Sequence, residues 1–327
     1  MTVSTHEAAR RWHCGWHTAD KRIKRGEVPP EPLGDTHVPP EFSDLKRAGS
    51  SLEKFTSQLT SWQNAVNDRD IRQESATIDI PDDKPIGIGL WADLHAGNRH
   101  TNHDLILRHA AIVRDTPGLY VTGLGDWHDN YIDGRKTGRA EAIMGPEDQQ
   151  LWVRDLCREY LVGKMVVLEK GCHEQWTFGA SMTDPVKLLS RQFEVPYLGH
   201  GGRLVVQVGQ ESYTLDLRHR GKGSSMLHPF QSELRSWREK GPPDVICHAH
   251  THESGYIKVY FQEQWCLGVK PGSYKRTDDF QQRGDWQCPI TSAPIVVLYP
   301  GEHRTEVFED FEHGAWVLSR LRSGVGA

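Results

Sequence analysis

The 327-residue sequence contains no long hydrophobic run. Its longest apolar stretches, residues 86–91 and 295–299, are far shorter than the roughly 18 residues that a membrane-spanning helix requires. Residues 1–13 lack the apolar segment of a secretory signal peptide. The six cysteines follow no regular spacing, which argues against a disulfide framework. These absences predict a protein without a membrane partner, and we expect it to be cytoplasmic.

Histidine content and charge distribution are the distinctive features of the composition. The chain has 18 histidines, several of them next to Asp, Glu or Cys, which is a weak indication of metal chemistry. The formal net charge is −5, yet residues 1–26 contain six Lys or Arg and only two acids. A basic segment attached to an acidic body is typical of an appended nucleic-acid-binding element.

The N-terminal segment is predicted to be helical. Residues 5–25 favour two short helices separated by a turn, and Gly26 lies where a helix C-cap is expected. The segment resembles the helix-turn-helix of excisionase and MerR-like proteins, which implies that a second helix at residues 16–24 binds in the DNA major groove. A basic helical hairpin that packs on the body is the alternative. Residues 1–28 are therefore assigned to a helix-turn-helix-like DNA-binding segment, with DNA contacts expected from residues 1–26.

Residues 29–80 are predicted to form a proline-rich linker and a helix. Five prolines fall within residues 29–40. Beyond them, apolar residues follow one another at steps of three and four: Leu45, Ala48, Leu52, Phe55, Leu59, Trp62 and Val66. This spacing is typical of an amphipathic helix lying on the body or of a short coiled coil. The coiled coil would make the protein a homodimer through residues 45–66.

Residues 81–327 are assigned to one catalytic domain in which strands and helices alternate. The predicted strands are 86–91, 119–123, 165–169, 203–208, 212–218, 244–248, 255–261, 265–269 and 294–299. The predicted helices are 102–115, 147–161, 184–192 and 229–239. This order indicates a mixed α/β fold.

Five polar clusters follow the ends of predicted strands. They are Asp93-Leu94-His95, Gly125-Asp126-Trp127-His128-Asp129, Gly171-Cys172-His173-Glu174, His219 and His250-Thr251-His252. The carboxyl ends of strands are where α/β sheets bind ligands, and carboxylate with imidazole suits Mn, Fe or Zn. The clusters supply enough ligands for two cations about 3.5–4 Å apart, the arrangement used to hydrolyse phosphate esters.

In this order, D-x-H, G-D-x-x-D, G-x-H-E, a lone H and H-x-H resemble the calcineurin-like metallophosphoesterases across roughly residues 86–275. Residues 269–273, V-K-P-G-S, also resemble the turn after the family's last histidine motif. The resemblance implies a four-layer α/β/β/α metallophosphoesterase sandwich, here with a small N-terminal helical extension. It also implies two divalent metal ions (Mn, Zn or Fe) and a bridging hydroxide that attacks a phosphoester substrate.

The resemblance assigns roles to individual residues. Asp126 would bridge the two metals, and His173 would contact the phosphate and protonate the leaving group. Asp129 and Glu174 would orient histidines. The implied metal ligands are Asp93, His95 and His252 for the first ion, Cys172, His219 and His250 for the second, and Asp126 for both.

Two positions depart from the family pattern. Cys172 replaces an Asn, so that either a thiolate binds the metal and favours Zn or Fe, or water takes the place of the shorter side chain. His219 is followed by Arg220 instead of Gly, and the nearby His228 is the alternative to it. His248, next to the H-x-H motif, is expected to face the other side of its strand and either to support a metal ligand from behind or to play a structural part.

The expected function is hydrolysis of phosphodiesters in nucleic acid or nucleotides. Two alternatives remain open: a phosphomonoesterase acting on nucleotides or phosphoproteins, and a DNA-binding regulator with a non-catalytic phosphoesterase fold. Four aromatic residues near the motifs either stack on a base or pack in the core: Trp127, Tyr131, Trp176 and Phe178.

Overall fold

The computed structural model of the chain describes residues 4–5, 8, 11–12, 16–29, 52–130, 132, 137–223, 225, 227–277 and 293–324. The chain divides into two compact units, Met1–Val66 and Asn67–Ala327. Among the described residues, no helix is long and apolar enough to cross a membrane.

Helix α1 in the first unit spans Trp16–Lys24, the bounds expected from sequence. Its Ala19 is buried, and the Arg22 guanidinium lies 4.4 Å from the centre of the Trp12 ring. Part of its basic charge is paired, because Lys24 Nζ lies 2.8 Å from Asp20 Oδ2. The helix is confirmed, while the helix-turn-helix and its DNA contacts stay predictions.

Helix α2 spans Leu52–Asp68. The five apolar seam residues that fall in it are all exposed: Leu52, Phe55, Leu59, Trp62 and Val66. The first two members of the predicted seam, Leu45 and Ala48, and most of the proline-rich linker lie outside the described residues.

The second unit contains eleven strands and six α-helices in the part that the structure describes. The strands are β1 Ser75–Ile80, β2 Ile86–Trp91, β3 Leu119–Leu124, β4 Met165–Glu169, β5 Gly201–Val208, β6 Glu211–Arg218, β7 Val245–His248, β8 Ser254–Phe261, β9 Gln264–Pro271, β10 Ile295–Leu298 and β11 Thr305–Phe308. The helices are α3 His103–Asp115, α4 Pro146–Leu156, α5 Cys172–Ser181, α6 Pro185–Phe193, α7 Gln231–Lys240 and α8 Phe311–Ser323. A π-helical turn, Cys157–Leu161, continues α4.

The strands form two mixed sheets. One has the order β11-β10-β2-β3-β4 and the other β1-β5-β6-β7-β9-β8. Strands β2, β3 and β4 run parallel, and so do β6, β7 and β9. The carboxyl ends of β2, β3 and β4 therefore share one edge of the first sheet, and those of β6 and β7 share one edge of the second.

Alternation along the strands produces four layers. Ile86, Ile88 and Leu90 of β2 pack in the core between the sheets, together with side chains of β5, β6, β7 and β9. The opposite face of the five-stranded sheet is covered by α3, α4, α6 and α8, and α7 covers the outer face of the six-stranded sheet. This arrangement confirms the predicted α/β/β/α sandwich.

The glycines of β2 allow α8 to approach the sheet closely. A Cβ atom on Gly87 would lie 2.9 Å from Leu318 Cδ2, and one on Gly89 would lie 2.9 Å from Phe311 Cε2. In the sequence I-G-I-G-L-W, the Ile and Leu side chains therefore point toward the other sheet, while the two glycines face α8.

Four elements were not expected from the sequence: β1, β11, α5 and α8. Strands β1 and β11 each lie at the edge of a sheet; β11 has only four residues, whereas β1 alternates polar and apolar residues and could have been predicted. Helix α5 buries polar side chains of the G-x-H-E motif, which hides the helical period. Strand β1 ends at Ile80 and pairs with β5, so the sandwich includes a strand that precedes the boundary drawn at residue 81.

Candidate metal centre

The five polar clusters converge at one edge of the sandwich. Asp93 and His95 follow β2, Asp126 follows β3, and Cys172 begins α5 after β4. His219 follows β6, and His250 and His252 follow β7. The ligand atoms of these seven residues form overlapping groups whose members all lie within 4.8 Å of one another.

Asp93, His95 and His252 form the first group. Asp93 Oδ1 lies 3.3 Å from His252 Nε2 and 3.8 Å from His95 Nε2. The two imidazole Nε2 atoms lie 3.0 Å apart. Two ring nitrogens and a carboxylate oxygen facing one another are the donor set expected around a divalent cation.

Cys172, His219 and His250 form the second group. His219 Nδ1 donates to the backbone oxygen of Leu124 at 2.8 Å, and therefore its Nε2 faces the centre. The backbone N–H of His250 donates to Asp93 Oδ2 at 3.1 Å, which ties this group to the first.

Asp126 lies between the two groups. Its Oδ2 is 3.3 Å from His219 Nε2, and its ligand atom also groups with those of His95 and His173. Its Oδ1 accepts from the backbone N–H of His173 at 2.8 Å, near the N-terminus of α5. One carboxylate thus reaches both halves of the centre.

Backbone strain is concentrated here. Five of the candidate ligands have left-handed φ angles, between +49° and +73°: Asp93, His95, Asp126, His250 and His252. Such angles are uncommon for residues other than glycine, and each costs about 1–3 kcal/mol. The surrounding fold holds these residues in conformations that aim their side chains at one another, as is typical of functional sites.

Two glycines allow the β3 and β4 loops to approach each other. A Cβ atom on Gly125 would lie 2.5 Å from the backbone nitrogen of Gly171, and one on Gly171 would lie 2.0 Å from Asp126 Oδ1. Glu174 fastens the same loops: its Oε2 accepts from the N–H groups of Gly171, at 2.8 Å, and Asp126, at 3.0 Å. Its Oε1 lies 3.0 Å from His128 Nδ1.

The side chains of the centre shift each other's protonation. Burial would raise the pKa of the Asp126 carboxyl, but the neighbouring His219 and His173 hold it well below its usual value. Burial also raises the pKa of Cys172, yet hydrogen bonds with His219 and His250 outweigh it and lower the pKa to about 7. Cys172 is therefore substantially a thiolate at neutral pH, and the thiolate is the form that binds metals.

His173 is oriented by its Nδ1, which lies 2.5 Å from the backbone oxygen of Asp129. The Nδ1–H donates to that oxygen, so Nε2 is directed toward Asp126, with 3.9 Å between it and Oδ2. Burial lowers the pKa of His173. The Trp176 ring lies against the His173 ring, with 4.1 Å between centroids.

The donor set fits divalent cations. Asp93 Oδ1 is buried and has no hydrogen-bond partner among the described residues. An unpaired buried polar atom is costly, and metal coordination would satisfy it. The mixture of carboxylate, imidazole and thiol suits Zn or Fe, with Mn at the harder positions.

The remaining residues singled out in the sequence lie as follows. His228 is exposed and belongs to none of the ligand groups found in the described chain, which favours His219. His248 Nδ1 lies 3.0 Å from Ser232 Oγ, away from the centre. Trp127 is fully buried in the core, and Phe178 packs under the Lys170 ammonium. Tyr131 lies outside the described residues.

Three residues near the centre were missed in the sequence. Asn130 donates from Nδ2 to the backbone oxygen of His173 at 2.8 Å. Glu169 is buried, which raises its pKa to about 8. Lys275 is buried within 3.6 Å of Asp129 Oδ1. Asn130 directly follows a recognised motif, so extending that motif would have found it, whereas Lys275 is marked by its contact with the distant Asp129.

No family model and no curated protein matches the chain. Among solved structures, Vps29 from Entamoeba histolytica, solved with Zn²⁺, is 13% identical and aligns over 68% of this chain and 99% of its own, with a TM-score of 0.36. The calcineurin-like phosphoesterase YfkN from Bacillus subtilis is 11% identical over 74% and 96%, with a TM-score of 0.39. The nuclease MPE from Pseudomonas putida is 14% identical over 68% and 87%, with a TM-score of 0.33.

Proposed function

We propose that the chain is a metallophosphoesterase that hydrolyses phosphodiesters of nucleic acid or nucleotides with two divalent cations. The observation that supports it most is the placement of Asp126 between two groups of three ligands. Asp93, His95 and His252 would hold one cation, Cys172, His219 and His250 the other, and Asp126 both. Once bound, such cations neutralise a phosphate and lower the pKa of water toward 7, so that a nucleophile forms at neutral pH.

His173 is the proton donor in this proposal. Its Nδ1–H is held by the Asp129 carbonyl, so its Nε2 is the ring atom that can protonate a leaving oxygen. A positioned general acid contributes about 10²–10⁴-fold to rate. This contribution matters for an alkoxide leaving group and very little for nitrophenolate, which leaves without a proton.

Trp176 supports a substrate that contains a base. The Trp176 ring lies against the ring of His173 and is partly exposed. A substrate base could therefore contact the exposed part of this aromatic ring next to the proton donor. Stacking of a base on such a ring contributes about 1–3 kcal/mol. The buried Trp127 has no such opportunity.

The test is hydrolysis by metal-stripped protein to which Mn²⁺, Zn²⁺ or Fe²⁺ is returned. We expect bis-p-nitrophenyl phosphate to be cleaved in preference to p-nitrophenyl phosphate, and single-stranded DNA, duplex DNA and nucleotides then identify the natural class. Asp126→Asn should lose turnover together with bound metal, whereas Asp104→Asn, an exposed carboxylate on α3, should lose neither.

Other outcomes would favour the alternatives. Preference for the monoester would indicate a phosphomonoesterase. Inactivity on both esters, combined with retained DNA binding, would indicate a regulator. An Asp126→Asn protein that keeps its metals and its turnover would refute the assignment of the centre.

A further inference from the structure

Lys275 is a buried cation that the proposed ligand set does not use. Its side chain is 1% exposed, and its Nζ lies 3.6 Å from Oδ1 of Asp129, which is fully buried. Removing an ammonium group from water costs several kcal/mol unless an opposite charge compensates it. Asp129 supplies such a charge, so the contact is part of the centre's construction.

The backbone holds Lys275 against the loop that carries the first metal ligands. Ser273 Oγ donates to the backbone oxygen of Asp93 at 2.9 Å, and the N–H of Lys275 donates to the same Ser273 Oγ at 3.0 Å. The N–H of Tyr274 also donates to the Asp93 oxygen, at 3.2 Å. These hydrogen bonds fix the segment after β9, and with it Lys275, next to the Asp93 loop.

Asp129 connects Lys275 to the candidate ligands. The same Oδ1 lies 3.3 Å from His95 Nδ1, and Oδ2 accepts from Asn98 Nδ2 at 3.0 Å. Its backbone oxygen holds His173 Nδ1. One carboxylate oxygen, Oδ1, thus lies near both the Lys275 ammonium and Nδ1 of the His95 ring.

We propose that Lys275 is a positioning residue of the metal centre, whose ammonium anchors the Asp129 carboxylate against His95 and thereby fixes the His95 ring with Nε2 toward Asp93 and His252. The proposal rests on the proposed function, because it takes His95 as a metal ligand. Residues that hold a metal-binding histidine from behind contribute about 10–100-fold to metal affinity.

The test is a double-mutant cycle of Lys275→Met and Asp129→Asn, measured as Mn²⁺ binding by titration calorimetry of metal-stripped protein. Each single variant should lower the Mn²⁺ affinity of one of the two sites by about 10–100-fold. The double variant should be no weaker than the poorer single, because both changes break one chain of contacts. Lys164→Met is the matched control: this half-buried lysine, just before β4, donates to backbone oxygens of Thr116 and Leu119 at the N-terminal end of β3.

A second readout does not depend on metal. In metal-free protein, nitrogen NMR of the His95 ring should show the tautomer protonated at Nδ1, and Lys275→Met should convert it to a mixture. An unchanged ring spectrum, Mn²⁺ affinity within about twofold of the parent, or additive losses in the double variant would overturn the proposal. Failure of the parent to bind any of Mn²⁺, Zn²⁺ and Fe²⁺, or to cleave either ester with them, refutes the proposed function instead, and the ring spectrum still decides the part played by Lys275.

Discussion

Cys172 introduces a thiol into a centre otherwise built from carboxylate and imidazole. Its pKa is lowered to about 7, and a thiolate is a soft ligand that favours Zn²⁺ over Mn²⁺. We predict that Cys172→Asn lowers the ratio of Zn²⁺ to Mn²⁺ affinity by at least about tenfold and shifts activation toward Mn²⁺. Metal titrations of the parent, Cys172→Asn and Cys172→Ser measure this, and identical titrations of all three would show that the thiol is not a ligand.

The same thiol should make the proposed hydrolysis sensitive to peroxide, since the thiolate is the form that peroxide oxidises. Cys172→Asn should therefore resist peroxide. Cys157→Ala is the control, because burial raises the pKa of Cys157 to about 12 and keeps it protonated. That variant should be inactivated as fast as the parent.

At the scale of residues, the sequence predicted the candidate ligands because all but the lone His219 belong to a short motif that follows a strand. It could not reveal the left-handed φ angles of Asp93 or His252, which depend on contacts between loops distant in the chain. Lys275 was missed for a similar reason: nothing local requires a lysine there, and its contact with the buried Asp129 joins segments distant in the chain.

At the scale of elements, His303 links the turn between β10 and β11 to the second sheet. Its Nε2 lies 2.7 Å from Asp244 Oδ1, before β7, and its Nδ1 lies 3.1 Å from Glu211 Oε2 of β6. Partial burial would lower the pKa of His303, but the two carboxylates outweigh it and raise the pKa above its usual value of 6.5.

A raised folded-state pKa stabilises the protein below the unfolded-state pKa, and this contribution disappears as pH rises through the folded-state value. We predict that His303→Gln lowers the free energy of unfolding at pH 5.5 by up to about 1 kcal/mol, since the half-exposed pair is screened by solvent. The loss should shrink by pH 8.5. Urea unfolding at both pH values measures it, with the exposed His228→Gln as control, and a loss that grows with pH would contradict the assignment.

The elements predicted correctly are those with strong local patterns. Strands β2, β4 and β10 are short continuous apolar runs, and α3 and α4 follow the helical period. The edge strand β11 has only four residues, all half-buried, so its pairing with β10 decides its structure more than its own sequence does.

At the scale of the whole molecule, residues 1–26 stay a predicted DNA-binding segment. Deleting them should weaken DNA binding and flatten its dependence on salt, because fewer counterions are released. Hydrolysis of bis-p-nitrophenyl phosphate should persist at the parent's rate. Fluorescence anisotropy at several salt concentrations measures the first effect, and unchanged affinity would exclude the segment as the DNA contact.

The apolar seam of α2 is the remaining large feature without an assigned partner. Leu52 is 79% exposed and Trp62 is 76% exposed, and the seam keeps the alternating spacing of three and four that coiled coils require. Charge does not oppose self-association, because the helix carries only Glu53, Lys54 and Asp68, none of them on the seam. We propose that a second copy of this chain covers the seam.

The consequence is a homodimer that one charge on the seam would break. Light scattering over a range of concentrations should give twice the chain mass of 37.2 kDa for the parent. Trp62→Glu should have the mass of one chain, because a carboxylate buried at a seam position would have no compensating charge. Ser57→Glu, off the seam of the same helix, should remain dimeric. A monomeric parent whose melting temperature falls with Trp62→Glu would favour packing onto the body instead. A dimer in all three proteins would show that the interface lies elsewhere. Trp62 and Ser57 lie on the same helix but only Trp62 belongs to the seam, so comparing the two variants separates the effect of seam position from the effect of added charge.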